Sequence, residues 1–321
     1  MAGSRFAYRL YHRPFRRSLQ TSHGTWDRRD GMILRLVDAA GQITFGEIAP
    51  LPWFGSETIA QAWDFCQHLP PEITAETIAM IPAHLPACQF GFESAWMGHS
   101  QRAESIAPHH LSGLLPAGKS ALETWQPLWD QGYRTFKWKI GIGDLLTEIQ
   151  IFHSLTAALP QSARLRLDAN GGLTWQEAIV WLESIAATQV EFLEQPLSVD
   201  QFDAMLDLSQ RYPTPLALDE SVATLAQLQT CYQRGWRGVF VVKPSIAGFP
   251  SHLRQFWQQQ HLDGVVSSVF ETAIGRQASL ALGAELQTGT DRAAGFGVTH
   301  WFNDDLDTLE FEQLWQRLSP V

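Results

Sequence analysis

Six ionisable residues that could act together stand at nearly regular intervals in the middle of the chain. They are Lys137, Lys139, Asp168, Glu194, Asp219 and Lys243, and from Lys139 onward successive members are 29, 26, 25 and 24 residues apart. Each follows or ends a stretch typical of a strand, and one strand, one helix and two short loops occupy about 25 residues. Because parallel barrel strands bring their carboxyl ends to one mouth, the spacing predicts a site there.

The three carboxylates of this set favour a bound divalent cation. Asp168, Glu194 and Asp219 could not all remain ionised side by side without positive charge between them. Hard oxygen ligands suit Mg²⁺, which keeps positions open for water or substrate, and Mn²⁺ is the alternative ion. A single acid of this kind would more often cap a helix or pair with an arginine. Three in register favour a metal site.

The lysines predict acid–base chemistry. In a strand over residues 134–140, Lys137 and Lys139 point inward while Phe136, Trp138 and Ile140 point outward. Lys139 and Lys243 would then face each other across the mouth. A desolvated lysine beside a cation has a lowered pKa and can act as a general base.

Together with a metal that binds a substrate carboxylate, such a base predicts removal of the proton alpha to that carboxylate, through an enediolate. The alternative for Lys243 is that it is a surface lysine before Pro244. Lys137 could serve only to anchor a ligand or to neutralise the nearby carboxylates.

Composition narrows the class of protein. The 321 residues carry a net charge of −10, which argues against a nucleic-acid partner, and 45% are hydrophobic. Cys66, Cys88 and Cys231 form no CxxC pair, which fits a reducing compartment. No apolar stretch reaches the roughly 18 residues of a membrane span. We expect a cytoplasmic enzyme for a small-molecule carboxylate, and the sequence does not indicate an oligomeric state.

The order of the predicted elements indicates an α/β barrel with an appended domain. Residues 1–104 alternate as antiparallel strands and then become helical, which predicts an α+β capping domain, and residues 300–321 are expected to return to it. Residues 105–299 form the predicted barrel, and residues 18–31 and 49–57 are predicted loops. The predicted barrel strands are 111–115, 134–140, 164–169, 190–194, 216–219, 238–243, 264–268 and 285–288.

Several short motifs resemble a known group of enzymes. Those typical of the muconate-lactonising subgroup of the enolase superfamily are Lys137-Trp138-Lys139, Asp168-Ala169-Asn170, Glu194-Gln195-Pro196, Asp219-Glu220-Ser221 and Lys243-Pro244. Within that subgroup, residues 46–52 and 267–272 are similar to the o-succinylbenzoate synthase family. Each motif is weak alone, but the combination is specific and covers most of the chain.

The resemblance implies a (β/α)7β TIM-like barrel under an α+β cap, with Mg²⁺ held by Asp168, Glu194 and Asp219. It implies that Lys139 removes the alpha proton and then helps hydroxide leave, while Lys243 stabilises the enediolate. The implied substrate contacts are Lys137, Asn170 and Ser268, beneath the two closing loops. The implied reaction dehydrates 2-succinyl-6-hydroxy-2,4-cyclohexadiene-1-carboxylate to o-succinylbenzoate, a step of menaquinone and phylloquinone biosynthesis.

Two other functions remain open from the sequence. An N-acylamino-acid racemase or a cycloisomerase of the same superfamily would use nearly the same residues. A catalytically silent barrel that only binds a ligand is disfavoured, because buried charges without a function destabilise the fold.

Overall fold

Two sheets organise the chain in the computed structural model, which describes residues 3–21, 24–98, 106–186, 188–287 and 290–319. The first sheet is antiparallel, with the order β3-β2-β1-β4, and helices follow its third and fourth strands. Its strands are β1 Ser4–Thr21, β2 Gly24–Val37, β3 Ile43–Ile48 and β4 Glu72–Ile73, and the helices are α1 Ile59–His68, α2 Ala75–Ala79 and α3 Pro86–Met97.

The second sheet has eight parallel strands and closes on itself into a (β/α)7β barrel, as predicted. The strands are β5 Leu111–Leu115, β6 Thr135–Lys139, β7 Arg164–Asp168, β8 Val190–Glu194, β9 Leu216–Leu218, β10 Val239–Val242, β11 Gly264–Val266 and β12 Ala294–Gly297. The helices are α4 Ala121–Asp130, α5 Leu145–Ala158, α6 Trp175–Ile185, α7 Phe202–Arg211, α8 Leu225–Gln233, α9 Pro244–Ala247, α10 Pro250–Gln260, α11 Ala273–Leu286 and, after the barrel, α12 Phe311–Arg317.

Strand alternation places charge directly above an apolar layer inside the barrel. The inner layer is a cluster of apolar side chains from neighbouring strands. Side chains two positions apart share a face, so the residue two positions after an inner-layer residue lies at the mouth. These inner residues are Phe192, Ala217 and Val241, and the corresponding mouth residues are Glu194, Asp219 and Lys243.

The predicted eighth strand, 285–288, is wrong. Glu285 and Leu286 end helix α11, and residue 288 lies outside the described residues. The strand that closes the barrel is β12, which contains two glycines and no β-branched residue. A Cβ atom at Gly297 would overlap the backbone oxygen of Ser112 on β5, so closure requires glycine there.

The predicted loop 18–31 is also wrong in the described residues. It belongs to a long hairpin of β1 and β2, in which Leu19 pairs with Trp26. Ser22 and His23, between these strands, lie outside the described residues. Most side chains near the hairpin end are exposed on both faces, so no apolar alternation indicates the strands.

The last helix packs on the first sheet. The Phe311 ring centroid lies 6.2 Å from that of Phe45 on β3, and Arg9 Nη1 on β1 donates to the Trp315 carbonyl at 2.6 Å. The predicted domain boundary at residues 104/105 falls outside the described residues and stays a prediction. No helix in the described ranges is long and apolar enough to cross a membrane.

A buried carboxylate joins the two sheets. Glu47 on β3 accepts hydrogen bonds from the Tyr11 hydroxyl at 2.6 Å and from the backbone N–H groups of Thr272 and Gly275, each at 2.9 Å. The two N–H groups belong to the start of α11, where a helix has unpaired donors and favours negative charge. Glu47 therefore fixes the first sheet to the barrel beside the turn that precedes α11.

That turn is unusual in its backbone and its buried acid. Phe270 has φ of 63°, a left-handed conformation that costs energy in a bulky residue. Glu271 Oε2 accepts hydrogen bonds from the Ser268 hydroxyl and the Val269 N–H, both at 2.7 Å. Burial, with a smaller contribution from Glu47, raises the pKa of Glu271 to about 7.

We expect Glu47→Gln to lower the free energy of unfolding by about 3 kcal/mol, since its amide NH2 would face donors that now bind a carboxylate oxygen. Urea unfolding measures this. Glu312→Gln removes an ion pair of half-exposed side chains between α12 and Arg35 and should cost under about 1 kcal/mol. Equal losses of unfolding free energy in the two variants would contradict the conclusion that Glu47 fixes the first sheet to the barrel.

The raised pKa of Glu271 predicts a pH dependence of stability. The carboxyl binds its proton more tightly in the folded chain, so its stabilising contribution is present below the unfolded pKa near 4.5 and is lost as pH rises toward 7. The Glu271→Gln variant has no such carboxyl, so its stability does not fall in this way as pH rises. Its free energy of unfolding relative to wild type should rise by about 2–3 kcal/mol between pH 5 and pH 8. The exposed Glu123→Gln is the control, and a pH-independent difference for Glu271→Gln would refute the assignment.

Candidate active site

A cavity of about 170 Å³ opens at the carboxyl ends of the barrel strands, under residues of the first sheet and the loop after β3. Its walls combine charged and polar side chains from the barrel with apolar side chains from above. The charged and polar ones include Lys137, Lys139, Asp168, Asn170, Asp219, Glu220, Lys243 and Ser268. Seven of the eight predicted site residues thus line one cavity. Glu194, the eighth, is buried behind it and binds Lys137.

Lys137 bridges two of the predicted metal ligands. Its Nζ atom lies 2.7 Å from Asp168 Oδ2 and 2.6 Å from Glu194 Oε1. The register explains the meeting, because Lys139 pairs with Asp168 and Asp168 with Glu194 across β6, β7 and β8. Burial lowers the pKa of Lys137, but the two carboxylates more than offset it and the pKa is raised. Lys137 therefore neutralises the acids.

Lys243 makes the second ion pair of the mouth. Its ammonium contacts Asp219 Oδ1, and its Nζ atom lies 4.3 Å from the centroid of the Phe54 ring, from the loop after β3. A ring face attracts a cation most strongly when water is excluded. The carboxylate and the ring together hold the side chain between the barrel and the roof of the cavity.

Lys139 is in a different electrostatic environment. It is half-buried on the same face of β6 as Lys137. Burial lowers its pKa, and the attraction of Asp168 and Glu220 opposes this only in part. A lysine with a lowered pKa beside a cavity is a candidate general base.

The donor set fits a hard divalent cation. Burial and the neighbouring charges of Asp168 and Asp219 raise the pKa of Glu194 well above its usual range, which shows how strongly this cluster requires positive charge. Within the described residues, no three acidic, imidazole or thiol groups stand together as a ready metal site. Ammonium groups bind the three carboxylates instead. Oxygen donors of this kind are those that Mg²⁺ prefers.

Asn170 and Glu220 link two strand ends. Asn170, with φ of 44°, donates from its backbone N–H to Asp168 Oδ1 and from Nδ2 to Glu220 Oε1, both at 3.0 Å. Burial, then the charges of Asp219 and Asp168, raise the pKa of Glu220 to about 8. Glu220 is not among the site residues predicted from the sequence, although it follows Asp219 directly.

Gln195 is a second residue of the site that was not predicted from the sequence. Its Oε1 accepts from the backbone N–H groups of Asp219 at 3.1 Å and Ser221 at 3.2 Å, and its Nε2 donates to Ser221 Oγ at 2.9 Å. Its φ of 37° lies in the left-handed region. The fully buried amide fixes the backbone on which Asp219 stands. The signal in the sequence that could have identified Gln195 is its position between Glu194 and Pro196.

Ser268 lines the cavity with its hydroxyl already engaged. The hydroxyl donates to Glu271 and accepts from the Phe270 N–H at 2.8 Å. In this conformation its proton is not directed to a ligand.

The roof of the cavity is apolar and aromatic. Leu19 and Trp26 come from the hairpin, while Trp53 and Phe54 come from the loop after β3, which overlaps the predicted loop 49–57. Phe270 adds an aromatic ring from the barrel side. The site therefore combines a charged floor with a roof that limits the access of water.

Comparison with known proteins gives concordant results. Residues 121–313 match the family described as "Enolase C-terminal domain-like", and residues 6–99 match "MenC, N-terminal domain". The o-succinylbenzoate synthase of Thermosynechococcus vestitus is 42% identical, over 98% of this chain and 99% of that protein. That of Yersinia enterocolitica is 28% identical, over 83% of this chain and 81% of that protein.

Solved structures agree with the sequence relatives. The o-succinylbenzoate synthase of Thermosynechococcus elongatus, complexed with Mg in its active site, superposes with a TM-score of 0.89 and 41% identity, covering 98% of this chain and 100% of that one. The L-Ala-D/L-Glu epimerase of Bacillus subtilis has a TM-score of 0.79 at 19% identity, covering 95% and 92%, and shares the fold. The chain therefore belongs to the o-succinylbenzoate synthase family of the enolase superfamily.

Proposed function

We propose that this chain dehydrates 2-succinyl-6-hydroxy-2,4-cyclohexadiene-1-carboxylate to o-succinylbenzoate, in menaquinone or phylloquinone biosynthesis. The observation that carries the proposal is the meeting of Lys139 and Lys243 with the buried acids at one covered cavity. Family membership supports the same reaction.

Asp168, Glu194 and Asp219 would hold Mg²⁺, and Mn²⁺ would substitute because it accepts the same oxygen ligands. When bound, the ion supplies positive charge for the carboxylate of the substrate. Lys137, bound to two of these acids, would keep them in place and contact the substrate. Asn170 and Ser268, which both line the cavity, are the further proposed contacts.

Lys139 is the proposed base. Its lowered pKa favours the neutral amine that accepts the proton alpha to the carboxylate. The electrons of that C–H bond enter the carboxylate as an enediolate, whose negative charge the Lys243 ammonium stabilises. When the C–O bond to the hydroxyl group breaks, Lys139 returns its proton to the departing hydroxide. Water leaves and the ring becomes aromatic.

The difference between the two lysines favours the lyase over a racemase of the same superfamily. A two-base racemase requires a lysine on each face of the substrate that can accept a proton. Lys243 binds Asp219 and lies over the Phe54 ring, so its Nζ atom is already engaged by two neighbours. Burial lowers the pKa of Lys139, which suits a base.

We further propose that the enzyme acts in the cytoplasm on a small-molecule carboxylate, without a nucleic-acid partner. The net charge of −10 disfavours polyanions, and the three cysteines are buried free thiols.

An absorbance assay with the cyclohexadiene substrate, with and without Mg²⁺, tests the proposal. Mg²⁺-dependent formation of the aromatic product is the expected result. Absence of turnover, in a protein that exchanges the alpha proton of an N-acylamino acid in D₂O, would indicate a racemase. Neither activity would indicate a binding protein.

Lys139→Ala should lower kcat at least about 10³-fold, since a general base contributes 10²–10⁴-fold. Steady-state assays measure this, and circular dichroism checks that the fold is retained. Lys119→Ala, at an exposed position, should keep full activity. A Lys139→Ala enzyme within tenfold of wild type would rule out the base assignment.

Asp219→Asn should raise the Mg²⁺ concentration for half-maximal activity by about 10–100-fold, because the neutral amide is a weaker ligand. The shift in melting temperature on adding Mg²⁺ without substrate should shrink as well. Asp203→Asn, on the exposed face of α7, is the matched control. An unchanged Mg²⁺ titration would remove Asp219 from the ligand set.

A further inference from the structure

Two aromatic residues of the cavity roof come from distant parts of the chain and contact each other. Trp26 lies on β2, Phe270 follows β11, and their ring centroids are 5.4 Å apart in an edge-on arrangement. Both rings also contact Phe15 on β1, with centroid distances of 4.9 Å to Trp26 and 5.3 Å to Phe270. Phe15 is thus the shared support of the two roof residues.

Phe15 in turn rests on a residue from the end of the chain. Phe302 is buried, stacks on Phe15 with centroids 5.0 Å apart and an interplanar angle of 25°, and lies 6.3 Å from Phe270. The backbones of Phe15 and Phe302 also form an isolated antiparallel bridge. Phe302 itself does not line the cavity.

A buried arginine fixes Phe302 against the hairpin. Arg13, two residues before Phe15, places its Cζ atom 3.6 Å from the centroid of the Phe302 ring. Its Nη2 atom donates to Asp304 and Asp307, both at 2.8 Å. The guanidinium is fully buried, so these carboxylates are its charge partners on the segment that carries Phe302.

We propose that Phe302 is a positioning residue for the substrate pocket, because it fixes Phe15 and, through Phe15, the roof residues Trp26 and Phe270. The kinetic consequence of this inference rests on the proposed function. Lys139 ends strand β6 and Lys243 directly follows strand β10, so loss of Phe302 leaves them in place. The substrate is then bound less tightly, while the bound substrate still reacts.

The test compares Phe302→Leu with Phe311→Leu. Phe311 is equally buried at 3% exposure and belongs to the same segment, but it packs on Phe45 of β3. Both variants lose a buried ring and should lose similar stability in urea unfolding. We expect Phe302→Leu to raise KM about tenfold with kcat within about threefold of wild type. Phe311→Leu should keep KM within about twofold. Equal changes of KM in the two variants would overturn the proposal.

Hydrogen exchange gives a measurement that does not depend on turnover. Phe302→Leu should speed amide exchange about tenfold in peptides covering residues 13–19 and 24–29, and Phe311→Leu should not. Unchanged exchange in Phe302→Leu would refute the positioning role, whatever the activity. A wild-type enzyme inactive on the cyclohexadiene substrate, with faster hairpin exchange in Phe302→Leu, would refute the proposed function and leave Phe302 as the support of the roof.

Discussion

Compensation of buried negative charge is the constraint on which this structure depends. Parallel register brings Asp168 beside Glu194, and Asp219 directly follows the next strand, β9, so three acids meet where water is scarce. Lys137 on β6 and Lys243 directly after β10 bind these acids from either side. Burial lowers the pKa of Lys139, which stands on the same face of β6 as Lys137.

The regular part of this arrangement could be predicted from sequence, because a βα unit has a nearly fixed length and a strand a period of two. The closing strand β12 could not, since contact with β5 selected glycines that carry no strand signal. The hairpin strands were missed because their described residues before and after the turn, such as Arg16, Arg17, Asp27 and Arg28, are polar and exposed. Gln195 and Glu220 act through contacts between strands, which a linear motif does not display.

The residues proposed for the chemistry and the residues that form the roof of the cavity come from different parts of the chain. The lysines and acids stand on barrel strands or directly after them, whereas the roof is assembled from the hairpin, the loop after β3 and the turn at Phe270. Solved structures with this fold include epimerases and muconate lactonising enzymes, so the barrel alone does not determine the reaction. The left-handed backbone of Phe270, stabilised by Ser268 and Glu271, illustrates how strain is kept where the substrate is enclosed.

The pairing of Arg13 with Asp304 and Asp307 joins residues about 291–294 positions apart. During synthesis on the ribosome, the hairpin emerges first and its buried arginine has no acidic partners until nearly the whole barrel has followed. The hairpin therefore cannot reach its final packing until the segment with Asp304 and Asp307 has been synthesised. Completion of the pocket roof thereby waits for residues that follow the whole barrel.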